Sequence, residues 1–329
     1  MSGATDPSFE GIGRVRTWSR FASRSFPAKM VVPLKSAKVV VSGPPVRRPS
    51  LALLFCFFVL ALHVRGAVSE IPFDFVDGFI LIKAQVAGKP LNLLLDSGAG
   101  ASVLSVRAAR RLRIPLGTRE TVLGVGTEAP AWHLAPLPAR VGDLDLARID
   151  MAIDLSNAAD LCRQPVDGLL GVDFFADRVV QIDFITRRIR LLSQAVADRD
   201  ATRLPLQHLN GILCVPIAVN GSQPRLTRLD TGCNDSLHWV IPRTKSAAPR
   251  QVSIGFLTDS ENTMLGTVQL GKQSLPSVEV ALHARPLFPG ESGLLGIGVL
   301  SRFLVTIDSA HGELVLQHAS ADSLRPARD

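Results

Sequence analysis

Two aspartates stand where apolar stretches end. Asp96 follows Leu93, Leu94 and Leu95 and precedes Ser97-Gly98; Asp230 follows Leu229 and precedes Thr231-Gly232. A carboxylate beside an apolar run is costly to bury unless something compensates it. Carboxylates are also among the groups that do general acid and base work in enzymes. A single Asp-Ser/Thr-Gly is an ordinary turn tripeptide, so the context of each copy decides what it means.

That context is an internal repeat. From Gly78 the chain reads "GFILIKAQVAGKPLNLLLDSGAGASVLS", and from Gly211 "GILCVPIAVNGSQPRLTRLDTGCNDSLHWV". Each copy has an alternating segment, a glycine turn at Gly88 or Gly221, a second strand and then the Asp-Ser/Thr-Gly. Short alternating runs around glycine turns predict hairpins. Downstream, "DGLLGVDFFADRVVQIDFITRRIRLL" from Asp167 matches "SGLLGIGVLSRFLVTIDSAHGELVLQ" from Ser292, and "VGDLDLARIDMAI" from Val141 matches "LGKQSLPSVEVAL" from Leu270. The chain is therefore read as two homologous all-β lobes, at 68–195 and 204–320, after a leader at 1–67, with a polar linker at 196–203 and a tail at 321–329. "GVG" at Gly124–Gly126 lacks the spacing, lysine and following helix of a phosphate cradle.

The paired motifs resemble those of aspartic peptidases, with halves closer to the retroviral (retropepsin-like) type than to large pepsin-type lobes, and both halves fused in one chain. The resemblance spans roughly 71–318. It rests on Asp96-Ser97-Gly98 with Gly168-Leu169-Leu170-Gly171, and on Asp230-Thr231-Gly232 with Gly293-Leu294-Leu295-Gly296. It implies two β-barrel lobes about a pseudo-twofold axis, with Asp96 and Asp230 facing each other across one water. Two close carboxylates share a proton. The charged one would act as base on the water, and the protonated one would donate to the scissile carbonyl. Ser97 and Thr231 would bond the opposite loop, Gly98 and Gly232 would admit close backbone approach, and each Gly-Leu-Leu-Gly would pack beneath its loop.

Each lobe should also supply a flap. The first candidate is "VLGVGTEAPAWHL", with Gly124, Val125 and Gly126 at its tip and Trp132 behind; the second surrounds Gly255 and Phe256. The chain has no tyrosine for a pepsin-type flap. Ala99 and Cys233 follow the two motifs where pepsin-type enzymes carry a hydroxyl, which implies activity at milder pH. Asp235 is read as a solvated turn acid, or, if near the dyad, as a charge that raises its proton affinity. His133 and His238 are read as surface or packing residues, Arg110-Arg111 and Arg187-Arg188 as solvated faces, and Asp183 and Asp308 as turn or strand-end acids.

Charge is concentrated in the leader. The first 67 residues hold ten Lys/Arg and two acids, whereas the remainder holds 26 basic and 27 acidic residues, so the overall +7 does not describe the body. A nucleic-acid partner is not expected. "RRPSLALLFCFFVLAL" places Arg47-Arg48 before an apolar run too short for a comfortable span and suited to a signal-peptide core. A periplasmic or secreted location follows as an expectation, with membrane attachment only through an uncleaved leader; a start at Met30 or Val46 would shorten the basic stretch. Beyond Cys56 of the leader, Cys162, Cys214 and Cys233 form no Cys-x-x-Cys pair, so no metal site is predicted. The resemblance implies no cofactor, a peptide or protein substrate and, since the halves are fused, a monomer. The competing reading is a peptide-binding or sensory module with little turnover. A third reading is an enzyme that processes only itself.

Overall fold

A computed structural model describes residues 69–124, 128–156, 161–241 and 262–318. The leader, the tail and the flap residues Val125, Gly126, Gly255 and Phe256 lie outside the described residues. The described residues are nearly all β, with short helices at Val106–Arg111, Val172–Phe175 and Ile297–Leu300. Among the described residues no helix is long and apolar enough to cross a membrane.

The second lobe is a closed ring. In order, Ile212–Val219, Arg225–Leu229, Gly293–Leu295, Leu237–Val240, Gln273–His283 and Asn262–Leu270 pair in turn, and the last pairs back on the first through Val219↔Val268. The first lobe follows the same path: Phe79–Val86, Lys89–Leu95, Gly168–Leu170, Val103–Ser105, Ile149–Ile153 and Glu128–Leu137. Its ring closes through Ala139–Val141, paired back as Val86↔Ala139. Pro138 separates the last two strands, as expected of a residue with no amide to give a ladder. A third, six-stranded sheet joins the halves, because Val179–Asp183 of the first runs antiparallel to Phe303–Asp308 of the second. The segment expected to link the lobes runs into its edge strand, Thr202–Pro205, which pairs with Glu313–His318.

The sequence explains these choices locally. Ala87-Gly88 and Asn220-Gly221 both take positive φ (48° and 73°; 50° and 76°), the twist a two-residue hairpin requires, and both are at the turns the repeat marks. Leu93, Leu94 and Leu95 are fully buried because their strand has paired neighbours on both sides and apolar packing on both faces. Strands covered in this way read as continuous apolar runs instead of alternating ones.

Candidate active site

Each aspartate sits where one strand of a parallel pair ends. Lys89–Leu95 runs parallel to Gly168–Leu170, and the Asp96 amide donates to the Leu170 carbonyl (2.9 Å). Arg225–Leu229 and Gly293–Leu295 repeat this, with the Asp230 amide on Leu295 O (3.0 Å). The Gly-Leu-Leu-Gly segments are thus the strands beside the aspartate strands, and their leucines are buried. Their glycines are forced by proximity. A Cβ on Gly168 would lie 2.3 Å from Val103 O, and one on Gly293 would lie 1.9 Å from His238 O.

The two loops interlock through their hydroxyls. Ser97 Oγ donates to Leu229 O (2.6 Å) and accepts from the Thr231 amide (3.0 Å). Thr231 Oγ1 donates to Leu95 O (2.9 Å) and accepts from the Ser97 amide (2.9 Å). All four bonds are buried and cross from one half to the other. Each aspartate also accepts from the glycine amide of its own motif, at 2.9 Å from Gly98 and 3.0 Å from Gly232. A Cβ on Gly98 would fall 2.6 Å from the Asp230 carboxyl carbon, and one on Gly232 would fall 2.4 Å from that of Asp96. Each glycine therefore faces the other half's acid, and any side chain there would displace it.

The two carboxyls are neighbours across the interlocked loops, and each acts on the proton affinity of the other. Burial raises the proton affinity of both. The neighbouring Asp230 charge and hydrogen bond raise Asp96 further, whereas Arg228 and the Gly98 amide pull it down. For Asp230 the counterweights to burial are Arg228, the Gly232 amide, Asp96 and His238. The pair retains a proton at pH values where an ordinary carboxylic acid would lose it, and that proton belongs to both.

Arg228 was not anticipated from the sequence. It is 6% exposed, forms a two-pronged ion pair with the equally buried Glu291 (2.7 and 2.6 Å), and stacks 3.3 Å from the centre of the Phe288 ring. Its remaining nitrogen donates to Gly98 O of the opposite loop (2.6 Å). A position-by-position comparison of the repeats carries the signal: Arg228 and Glu291 stand where the first copy has Leu94 and Val166.

His238 corrects an expectation. It is 1% exposed and polar in function: Nε2 meets Asp235 Oδ2 at 2.9 Å, and Nδ1 meets His283 Nε2 at 2.9 Å. Asp235 is accordingly a partner of His238 and not only a solvated turn acid, and this hydrogen bond, ahead of the opposing effect of burial, holds its carboxyl below the usual range. His133 is half-exposed, 3.4 Å from Glu120. Arg111 is paired with Asp167 (2.9 Å). Asp183 and Asp308 cap turns: Asp183 accepts from the amides of Ile185 and Thr186, and Asp308 from that of His311. Gly124 ends the strand Arg119–Leu123; Trp132, in the strand Glu128–Leu137, packs against the core beneath the Arg119 guanidinium. Cys162, Cys214 and Cys233 are free thiols, and burial pushes that of Cys214 up to about 12.

Residues 82–174 match a family described as aspartyl protease. No curated protein matches the chain in sequence. Among solved structures, an aspartic proteinase from Irpex lacteus superposes with a TM-score of 0.49 at 12% identity, over 78% of this chain and 99% of its own. The sequence similarity to aspartyl proteases thus covers residues 82–174, the stretch that holds Asp96-Ser97-Gly98 and the first Gly-Leu-Leu-Gly.

Proposed function

We propose that the protein is an aspartic endopeptidase that hydrolyses peptide bonds with a water activated between Asp96 and Asp230, without a metal or cofactor in the step. One observation carries this reading: the crossed Ser97–Thr231 bonds bring two carboxyls from opposite halves together, Asp230 buried and Asp96 partly buried. Two such acids with one proton supply a base and an acid at the same point. The ionised member takes a proton from water as the oxygen attacks the carbonyl carbon. The protonated member gives its proton to the carbonyl oxygen. The resulting diol collapses with a proton passed to the departing amine. Fixed donors around the carboxyls spare the pair reorganisation during the step.

Fusion of both halves makes the monomer the expected unit. The basic and apolar leader supports export to the periplasm or the exterior.

The test incubates casein and a peptide library with wild type, Asp96→Asn and Asp230→Asn between about pH 4 and 7, where shared-proton carboxylate chemistry operates. Cleavage by wild type, its loss in both variants and inhibition by a statine-type transition-state mimic are expected. Peptide binding by all three proteins without cleavage would replace the enzyme with a binding module. Cleavage confined to the chain's own leader or linker would restrict it to self-processing.

A further inference from the structure

The second aspartate loop carries a set of donors that the first lacks. Cys233, Asp235 and His238 present Sγ, a carboxylate oxygen and an imidazole nitrogen that all lie within 4.8 Å of one another. At the equivalent positions of the first copy stand Ala99, Ala101 and Val103, for Val103 meets Gly168 as His238 meets Gly293. Since that half builds the same loop with apolar residues, the fold does not need these three side chains. Their co-location is an addition to it.

The surroundings fit a metal site. Thiolate, imidazole and carboxylate together are the donor set of a borderline-soft ion such as Zn²⁺. Zn–N and Zn–O bonds of about 2.0–2.1 Å and a Zn–S bond of about 2.3 Å separate tetrahedral donors by roughly 3.3–3.5 Å, so a contraction of about 1 Å closes the cluster. The backbone beneath is held firmly. A Cβ on Gly296 would lie 2.2 Å from Asp235 O and 3.0 Å from Cys233 Sγ, so the turn rests directly on the second Gly-Leu-Leu-Gly. His283 holds Nδ1 of His238 at 2.9 Å, the outer-shell bond that orients a metal-binding imidazole and leaves Nε2 for the ion. The cluster opens to solvent on the side of Asp235, whose side chain is 54% exposed. Three protein donors leave a fourth position for water.

We infer that Cys233, Asp235 and His238 form a binding site for a thiophilic divalent cation, Zn²⁺ or an ion of similar chemistry, beside the aspartate pair. Binding releases the thiol proton to solvent as the sulfur–metal bond forms, and the ion takes the place of the proton between Asp235 and His238. A dication held by Cys233, one residue from Gly232 and three from Asp230, places positive charge beside the pair. On the reading of the protein as a peptidase, occupancy therefore inhibits it.

The test has a readout independent of activity. Metal-free full-length protein is titrated with Zn²⁺ in competition with a chromogenic chelator, and with Co²⁺ while the near-ultraviolet sulfur-to-cobalt charge-transfer band is followed. One equivalent and a cobalt–sulfur band are expected in wild type. Both are expected to persist in Asp96→Asn/Asp230→Asn. Affinity should fall at least tenfold in Cys233→Ala and in His238→Val, which copy the first half and whose folding is checked by circular dichroism. No stoichiometric binding by wild type overturns the site. So does binding that survives Cys233→Ala, or binding abolished by Asp96→Asn/Asp230→Asn, which would place the ion on the aspartate pair. Peptidase assays with added Zn²⁺ then report separately on inhibition: a site that binds in a protein without activity refutes the peptidase reading and leaves the metal site standing.

Discussion

The two aspartate loops are alike where they touch and unlike behind. Asp96 and Asp230, Ser97 and Thr231, Gly98 and Gly232, and the two Gly-Leu-Leu-Gly segments occupy equivalent places and make equivalent bonds. One layer out, the first half has Leu94, Ala99, Ala101, Val103 and Val166 where the second has Arg228, Cys233, Asp235, His238 and Glu291. The contact across the axis admits little change because each loop is the other's binding partner. The supporting layer is free to diverge, and at these five positions only the second half carries charge. Burial raises the proton affinity of both acids, and Arg228, from the second half alone, opposes it on both.

The greatest effect should come from the point of greatest symmetry. Replacing either aspartate by asparagine removes the acid–base pair and is expected to lower kcat by at least about 10²–10⁴-fold, equally in both halves, in steady-state peptide cleavage. Stability should move the other way. A carboxyl whose proton affinity is raised on folding destabilises the native state at pH values above its unfolded pKa, because ionisation is then easier in the unfolded chain. Asp96→Asn should therefore raise Tm at neutral pH, and the gain should vanish as pH falls below the ordinary carboxylate range.

The next largest effect tests the asymmetric layer. Arg228→Leu strands the buried Glu291 and should cost about 3–5 kcal/mol, read as a lowered midpoint in urea. Arg228→Leu combined with Glu291→Val copies Leu94 and Val166. It should recover most of that loss, leaving about 1 kcal/mol for the Gly98 carbonyl that loses its donor. If the double variant is as unstable as the single one, the ion pair is not what separates the halves. In the double variant the pH dependence of activity should shift upward, because the cation that lowers the proton affinity of both acids is gone.

Much of this was legible before any coordinates. The hairpins at Ala87-Gly88 and Asn220-Gly221, the matched lobes and the segments beside each aspartate all follow from period-two patterning and turn glycines seen twice. Arg228–Glu291 and the Asp235–His238–His283 link were not, for a common physical reason. Their partners are 63 and 45 residues apart for Arg228–Glu291 and His238–His283, and come together only when neighbouring strands pair. A buried arginine also looks like a surface one in sequence. Subtracting one repeat from the other exposes both sets, since charge in one copy opposite leucine or valine in the other marks a buried position that has acquired partners.

The crossed hydroxyls should show how evenly the halves share the grip. Ser97→Ala leaves Leu229 O and the Thr231 amide buried without their partner, and Thr231→Ala does the same to Leu95 O and the Ser97 amide. Each is expected to cost about 1–3 kcal/mol, or roughly 2–4 °C in Tm per kcal/mol. Because the two hydroxyls serve one network, the double variant should lose less than the sum. A large difference between the single variants would mean that one loop carries the other.

The smallest effect lies in the six-stranded sheet, where the halves again coincide in position. Asp183 and Asp308 cap equivalent turns, yet Asp183 is also 3.2 Å from Arg190, whereas Asp308 is paired with His311 at 2.9 Å. Burial alone would raise the Asp183 carboxyl, but the Thr186 bonds and Arg190 outweigh it and hold it below the ordinary value. A carboxyl depressed on folding contributes stability above its unfolded pKa and loses it as pH falls through the folded one. Asp183→Asn should therefore cost about 0.5–1 kcal/mol at pH 7, as expected for a partly exposed pair and its turn bonds. The deficit relative to wild type should shrink in thermal melts as pH falls below about 4, the ordinary carboxylate value. A deficit that stays constant with pH would assign the contribution to the turn bonds, which asparagine can retain in part, and not to the charge on Arg190.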